Sequence, residues 1–316
     1  MKKFLVLSSV VLIAACNTVT PVTPAPPATA DSIKATDFFE KYQVKEQTFK
    51  GSAALGFTIT GEKGTKITFP LHAFKDSITG DPVNIGDVEI KLTEVLSKKD
   101  ILLSGPMTES NGQLLISGGE IKVTAKLHGA VLIPGDSAIK VEVPQVMKAG
   151  DMNLFVQAPR KQANDGNIPP DFKNTWMPAP YAPFGMGPSS YIFTLPAFTW
   201  VNCDRFYNDP APKTTITVSP HFMDSDSIAG LQVMIVFKDI TTVITLPFNY
   251  TLIQFQSYLN SLPIGKEGEL VLIGKDENGL LEFGTQHITI AADMHLDAPI
   301  ARSSEATVSA FLNTVQ

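Results

Sequence analysis

Apolar and polar residues alternate one by one in several short stretches of this chain. The alternation runs through residues 65–69, 87–93 and 139–143, and through residues 120–127 it continues for eight positions without a slip. A period of two places one face of a strand in a core and the other face in water, as in antiparallel sheets. The pattern therefore predicts an all-β protein with two antiparallel β-sandwich-like domains.

Turn signals and continuous apolar runs complete the predicted elements. Residues 110–112 and 276–279 combine Asn or Asp with Gly and predict tight turns. Residues 231–237 are nearly all apolar, which is typical of a central strand covered on both faces. Short helices are expected near residues 37–42 and after Ser303, a candidate N-cap. The apolar face of this last helix would contain Val308, Phe311, Leu312 and Val315.

Proline and glycine are concentrated in residues 162–190, which predicts a long connection between two domains. Trp176, Tyr181 and Phe184 lie inside this segment, so we expect it to pack along a domain surface, and an aromatic ligand-binding loop is the alternative. The predicted organisation is a signal peptide at 1–15, a lipidated Cys with a Pro/Thr-rich tether at 16–36, a β-sandwich domain at 37–161, the connection at 162–190, and a β-rich domain at 191–316.

The N-terminus predicts an export signal. Lys2 and Lys3 precede an apolar run at residues 4–15, which would form about 18 Å of helix, short of the roughly 30 Å of a bilayer core. The run ends in Ile-Ala-Ala-Cys, which resembles the bacterial lipobox, and the resemblance implies cleavage before Cys16 and lipid on its thiol. Residues 17–30 are rich in Pro and Thr and could extend up to about 40 Å as a tether.

Charge and cysteine content narrow the classes of function. Without Lys2 and Lys3, 23 basic residues face 31 acidic ones, a formal charge of −8. This charge disfavours binding to nucleic acid through bulk electrostatics. The chain has two Cys, and with Cys16 lipidated, Cys203 has no partner for an internal disulfide.

Several strings resemble a set of uncharacterised envelope lipoproteins of Bacteroidetes. They lie at residues 64–70, 73–74, 86–95, 110–115, 117–121 and 200–207. The block that spans roughly residues 50–160 is also similar, more distantly, to the β-sandwich domain shared by ankyrins and netrin receptors. The resemblance implies the fold and an envelope location but no activity. Some relatives of that domain cleave themselves at a His-Phe-Ser site, whereas residues 221–223 are His-Phe-Met and lack the hydroxyl nucleophile.

A search for catalytic and metal-binding motifs gives no site that we retain. The five His residues lack zinc-type spacing, and Asp224 and Asp226 lack the later acid of a calcium loop. Residues 185–190 fit neither a dinucleotide-binding fingerprint nor a nucleophile elbow. Cys203, beside Trp200 and Phe206, is expected to be buried and inert, with a reactive thiol as the alternative. Paired carboxylates brought together from distant strands remain open.

The sequence therefore leaves two hypotheses for the function of this protein. The first is a membrane-anchored envelope lipoprotein with a non-enzymatic binding or structural role, and the second is a β-sandwich hydrolase acting on carbohydrate or peptide. Expected partners are the membrane, through lipid on Cys16, and an envelope protein or glycan; no cofactor or metal is expected. In the resembling lipoproteins, acidic residues soon after the lipidated Cys accompany export to the cell surface. The first acid here is Asp31, which favours an outer-membrane location facing the periplasm.

Overall fold

The computed structural model describes residues 32–147, 150–159, 174–222, 228 and 230–315. Up to residue 206 its helices and strands are α1 (Ala35–Tyr42), β1 (Gln47–Ser52), β2 (Phe57–Thr60), β3 (Lys66–Phe69), β4 (Phe74–Asp76), β5 (Asp87–Val95), α2 (Lys98–Ser104), β6 (Glu109–Ser110), β7 (Gln113–Leu127), β8 (Ala130–Pro134), β9 (Lys140–Pro144), β10 (Asn153–Pro159), β11 (Asn174–Pro178), β12 (Phe184–Met186), β13 (Ser190–Thr194) and β14 (Trp200–Phe206).

The later part of the chain continues as strands and ends in a helix. Its elements are β15 (Lys213–Thr214), β16 (Thr217–Phe222), β17 (Gln232–Phe237), β18 (Val243–Leu246), β19 (Phe248–Asn249), β20 (Gln254–Gln256), β21 (Leu262–Pro263), β22 (Glu267–Lys275), β23 (Leu281–Thr289), β24 (His295–Arg302) and α3 (Glu305–Leu312). The protein is all-β with short helices near its start and end, as the alternation predicted, and α2 is a helix that the sequence pattern did not predict.

The first unit is a sandwich of two sheets. The main path of one sheet runs β1-β5-β7-β14-β10-β11, and the other sheet runs β12-β13-β9-β3-β2. Between them lies a core of alternate residues from both sheets, among them Ile90, Val123, Val141, Tyr191 and Cys203. This is the packing that a period of two dictates, because every second side chain of a strand points to the same face.

The second unit is a strongly curled sheet in the order β18-β17-β22-β23-β24-β16-β20-β19, and its two edge strands, β18 and β19, are joined by Pro247 alone. β17 lies between β18 and β22, with Val233 and Ile235 in the core on one face and Met234 in the core on the other. The prediction of a central strand covered on both faces is confirmed. β16 and β24 pair in parallel, an arrangement that needs a long crossover connection and that no local signal predicted.

Two turns and one helix start agree with their sequence signals. Asn111 and Gly112 both have positive φ, of 48° and 85°, and connect β6 to β7 as an Asn-Gly hairpin. Asp276 Oδ1 accepts the backbone N–H groups of Asn278 and Leu280, which fixes the turn between β22 and β23. The cap of α3 is Ser304, one residue after the predicted Ser303, and its Oγ accepts the N–H of Thr307.

The two units share an apolar cluster and direct hydrogen bonds. The cluster joins Val95 of β5 and Ile101 of α2 to Val236 and Val243 of the second unit. Thr108 and Val243 bond in both directions: Thr108 N–H donates to the Val243 carbonyl at 2.9 Å, and Val243 N–H donates to Thr108 Oγ1 at 2.8 Å. The second unit therefore covers part of the face of the first sheet that lies opposite the sandwich core.

Strand pairing divides the chain at other places than the predicted boundaries. β13 pairs with β9, and β14 pairs with β7 and β10, so residues 191–206, which we predicted for the second domain, complete the first sandwich. The predicted connection at 162–190 contains β11 and β12, which also belong to the first unit. Conversely, α1 packs on the second unit through Phe38, although residues 37–42 were predicted for the first domain.

Candidate functional site

An open groove lies at the start of β10, on the surface of the first unit. Its volume is about 690 Å³, within the usual range of ligand sites. The floor contains residues of β10 and β14, and the wall is the segment 178–183. The residues that line it are Met152, Asn153, Leu154, Phe155, Pro178, Ala179, Pro180, Tyr181, Ala182, Pro183, Phe184 and Phe206.

Backbone hydrogen bonds hold the wall of the groove in place. Ala179 N–H donates to the Leu154 carbonyl at 2.8 Å, and Ala182 N–H closes a turn onto the Ala179 carbonyl at 3.1 Å. At the far end, Thr194 N–H donates to the Pro183 carbonyl at 3.1 Å. Prolines fix φ along this segment, so a ligand would meet a largely preformed surface.

Aromatic rings form a large part of the lining of the groove. The Tyr181 side chain is 72 % exposed at the rim. Phe184 stacks on Tyr191 and Phe193 with centroid distances of 5.9 and 6.4 Å, and Phe206 meets Phe155 edge to face at 5.4 Å. The exposed ring therefore stands beside rings that are anchored in the fold.

Polar groups occupy the edge of the groove near the start of β10. Asn153 lines the groove, and its Nδ2 donates to the Asp151 carbonyl at 2.9 Å. Asp151 Oδ2 lies 3.5 Å from Arg205 Nη1 in an exposed ion pair. The residues that line the groove include an amide but no Asp, Glu, His or Lys. A neutral ligand with hydroxyl groups fits such a surface better than a charged one.

A second, shallower depression of about 330 Å³ continues from the groove along β12 and β13. Pro183 and Phe184 line both spaces. Lys140, Met186 and Ile192 contribute to the second space only. Because the two spaces meet at one ring, an elongated ligand could contact both at once.

The sequence signal for this site was partial. Of the three aromatic residues in the predicted connection, Trp176 is buried and donates its Nε1–H to the Met107 carbonyl at 3.0 Å, as expected of a packed segment. Tyr181 and Phe184, by contrast, line the groove, so the alternative of an aromatic ligand-binding loop stays a prediction for these two residues. Asn153 and Phe206 were missed, because only the pairing of β10 with β14 brings them to the same surface.

A pair of carboxyl groups does come together from distant strands, but in the interior. Asn202 Nδ2 donates to Glu120 Oε1 at 3.2 Å and to Asp204 Oδ2 at 2.6 Å. Ser117 Oγ donates to Asn202 Oδ1 at 3.0 Å. Glu120, Asn202 and Asp204 are each 0 % exposed. No substrate reaches these carboxyl groups in the folded protein, so they are not a hydrolase site of the kind left open by the sequence.

Burial sets the protonation of this pair. It raises the pKa of Glu120 well above the ordinary value, with a further contribution from the charge of Asp204. Burial likewise raises the pKa of Asp204, and the nearby polar groups of Ser117 and Gly118 oppose this rise only in part. Among the described residues, Glu120 Oε2 and Asp204 Oδ1 have no hydrogen-bond partner. The neutral, protonated form is therefore the one that this site favours.

Cys203 lies in the sandwich core at 1 % exposure, which confirms its predicted burial. Burial raises the pKa of its thiol well above the ordinary value, and the neighbouring Asp204 adds to the effect. Its inertness towards reagents follows from this burial and stays a prediction.

The five His residues are exposed and do not converge. His287 Nδ1 lies 2.8 Å from Glu269 Oε1, and His295 Nδ1 lies 2.8 Å from Thr217 Oγ1, two separate surface contacts. In the part of the chain that the structure describes, no three His, Cys, Asp or Glu side chains are grouped as a metal site. Met223, Asp224 and Asp226 lie outside the described residues. Residues 185–190 form the hairpin between β12 and β13.

The predicted signal peptide, Cys16 and the tether up to residue 31 lie outside the described residues. None of the helices in the described part of the chain is long and apolar enough to cross a bilayer. Comparison of the chain with protein-family models, with curated proteins and with solved structures found no match.

Proposed function

We propose that this protein is an envelope lipoprotein, held at a membrane by lipid on Cys16, whose first unit binds a neutral glycan without catalysis. The observation that carries the binding role is the open groove with the exposed ring of Tyr181 on its rim and no Asp, Glu, His, Lys or Arg in its lining. An aromatic face packs against the C–H face of a sugar, and an amide such as that of Asn153 exchanges hydrogen bonds with sugar hydroxyls.

The elongated shape favours a chain of sugars over a single sugar. The groove and the depression beside it share Phe184, so consecutive units of an oligosaccharide would occupy one space each. The proline-rich wall is held by hydrogen bonds before any ligand arrives, so binding costs little ordering of the chain.

A hydrolase role lacks the groups that it needs in this groove. Glycoside hydrolysis uses two carboxyl groups on either side of the scissile bond, and no carboxyl group lines this groove. Among the described residues, the carboxyl groups of Glu120 and Asp204 come together from different strands, but both residues are fully buried. The groove therefore supports a binding role over a hydrolytic one.

The binding role is tested by affinity electrophoresis of the purified chain through gels that contain dextran, xylan or mannan. We expect at least one polysaccharide to retard the chain. Tyr181→Ala should weaken this binding about tenfold or more, equivalent to at least about 1.4 kcal/mol. Tyr250→Ala is the matched control, because Tyr250 is similarly exposed, at 67 %, but lies on the second unit. An unchanged migration in all three gels, or equal effects of the two variants, would contradict the proposal.

The membrane role rests on the lipobox-like sequence that ends in Cys16. Two or three acyl chains give effectively stable residence at a bilayer, whereas one gives only marginal binding. Cys16→Ser should therefore move the chain from the membrane fraction to the aqueous fraction. Retention of the variant in membranes after a carbonate wash is the result that the lipid anchor does not allow.

We further propose that the body faces the periplasm from the outer membrane, because the chain carries no acid between Cys16 and Asp31. Protease added to intact cells should leave the body whole, and permeabilised cells should lose it. Rapid digestion in intact cells would place the body on the cell surface.

A further inference from the structure

The hairpin between β19 and β20 exposes large apolar side chains at its tip, which we define as residues 250–253. Tyr250 is 67 % exposed, Leu252 is 51 % exposed and Ile253 is 73 % exposed. From residue 240 to residue 265 the chain carries no Asp, Glu, Lys, Arg or His. Contiguous apolar surface of this kind marks contact with a membrane or a partner.

The tip is held in one shape before it meets anything. Asn249 Oδ1 accepts the backbone N–H groups of Thr251 and Leu252 at 3.0 and 3.1 Å. The Phe248 ring meets Tyr250 edge to face at a centroid distance of 5.1 Å and thereby supports the tip from below. Ile253 has φ of +55°, a conformation that β-branched residues rarely adopt. Local strain of this type is kept where a segment contacts a ligand.

Strand register places the tip at the end of the sheet where the chain enters the body. β20 is antiparallel to β16, so the tip, which precedes β20, lies at the C-terminal end of β16. β16 and β24 are parallel, so the C-terminal end of β24 lies at the same end. Ser304, just after β24, bridges to Ser32, the first described residue. The segment that begins at Cys16 therefore joins the body at the end that carries the tip.

We propose that the tip at residues 250–253 inserts into the interfacial region of the bilayer in which the Cys16 lipid is anchored. The inference rests on the proposed lipid anchor. The segment from Cys16 to Ser32 would span about 50 Å as polyproline II, so this end of the body stays within reach of that bilayer. The driving force is burial of apolar surface, because the tip offers no charge to lipid headgroups. The second contact fixes the orientation of a body that a tether alone leaves free to rotate.

The test uses the full lipidated chain on vesicles of zwitterionic phospholipid, with an environment-sensitive fluorophore attached to a new cysteine. Leu252→Cys carries the probe at the tip. Leu259→Cys is the matched control: Leu259 is also 51 % exposed, but it follows β20 and lies at the opposite end of the sheet. Cys203 is buried, so labelling is confined to the new position. Flotation of the vesicles reports the lipid anchor independently of the probe.

We expect the probe at 252 to shift to shorter wavelength on vesicles and to lose about half of its emission to a lipid-borne quencher, since interfacial segments bury about 5–10 Å into the bilayer. The probe at 259 should keep its emission in water. Flotation with an unquenched probe at 252 would overturn the insertion and leave the anchor standing, as would equal quenching at the two positions. Failure to float would overturn the anchor and the insertion together. If the tip instead contacts a protein partner, the probe at 252 should stay unquenched on the vesicles.

Discussion

Glu94 and Glu120 are both fully buried on neighbouring strands of one sheet, yet their surroundings are opposite. Glu94 on β5 accepts three hydrogen bonds, from the backbone N–H groups of Lys63 and Thr65 and from Gln47 Nε2, each at 2.9 Å. Glu120 on β7 accepts one, from Asn202, and among the described residues its Oε2 has no partner. The register aligns Val95 with Glu120, so the two carboxyl groups lie one residue apart on opposite faces.

The difference shows that burial alone does not define the role of an acidic residue. Three donors replace the water that the Glu94 carboxylate loses, so this residue connects β1, β5 and the turn between β2 and β3. The single donor of Glu120, Asn202 Nδ2, is shared with Asp204, so the hydration that a charged Glu120 would lose is not compensated. One acid therefore fixes a turn, whereas burial of the other favours its protonated form.

The largest expected effect is that of Glu94→Ala. Removal of the carboxylate leaves the buried N–H of Thr65 and two part-buried donors, the N–H of Lys63 and the amide of Gln47, without this acceptor. A donor left unpaired in the interior costs about 1–3 kcal/mol. Because the site can relax in part, we expect a loss of about 3–4 kcal/mol in the free energy of unfolding, measured with urea. Glu89→Ala, on the same strand but half-buried, should change it by less than about 0.5 kcal/mol. Equal losses of stability in the two variants would show that the hydrogen bonds accepted by Glu94 do not stabilise the fold.

Gly61→Ala should give the next largest effect, because Gly61 is where the backbone approaches Glu94. A methyl group on Gly61 would stand 2.3 Å from Glu94 Oε2, so the carboxylate has to leave its donors. We expect a loss of about 2 kcal/mol, in the range of overpacked sites. In the background of Glu94→Ala the same change should cost much less, and a double-mutant cycle by urea unfolding measures this coupling.

Glu120→Gln should change the dependence of stability on pH. The pKa of Glu120 is raised in the folded protein, so its contribution to stability is complete below the ordinary carboxyl pKa of about 4 and is lost as the pH rises through the folded value. The slope can reach about 1.4 kcal/mol per pH unit for one proton. Gln retains an acceptor for Asn202 and cannot ionise.

Urea unfolding from pH 5 to pH 8 should therefore show a shallower fall in stability for Glu120→Gln than for the wild type, with any remaining slope due to Asp204. Glu89→Gln is the control and should follow the wild type. A slope that is identical in all three proteins would mean that Glu120 does not take up a proton on folding.

The smallest expected effect concerns Cys203, which is adjacent to Asp204 but points into the sandwich core instead. Cys203→Ala removes little volume and should cost about 1 kcal/mol. The raised pKa of the thiol leaves little thiolate, so hydrophilic alkylating reagents should react slowly with the folded chain and fully in guanidinium. Rapid labelling of the folded protein would show that this strand opens.

The sequence by itself determined the local features of this protein. Alternation at residues 120–127 predicted a strand, and Asn111-Gly112 and Asp276–Gly279 predicted turns, because neighbouring residues set the face of a strand and the φ of a turn. For Tyr181 the sequence offered only the alternative of an aromatic ligand-binding loop, and its exposure was not predicted. The burial of Cys203 followed from its large apolar neighbours.

Only the tertiary structure decided what covers each face and which distant strands meet. Glu120 belongs to the polar side of an alternating strand and was expected in water, yet it is fully buried, with Gly105 at the end of α2 close to its carboxyl group. The parallel pairing of β16 with β24 and the meeting of Asn153 with Phe206 likewise depend on contacts far apart in sequence. Such contacts are selected by packing of the whole chain, which the period of a short segment does not encode.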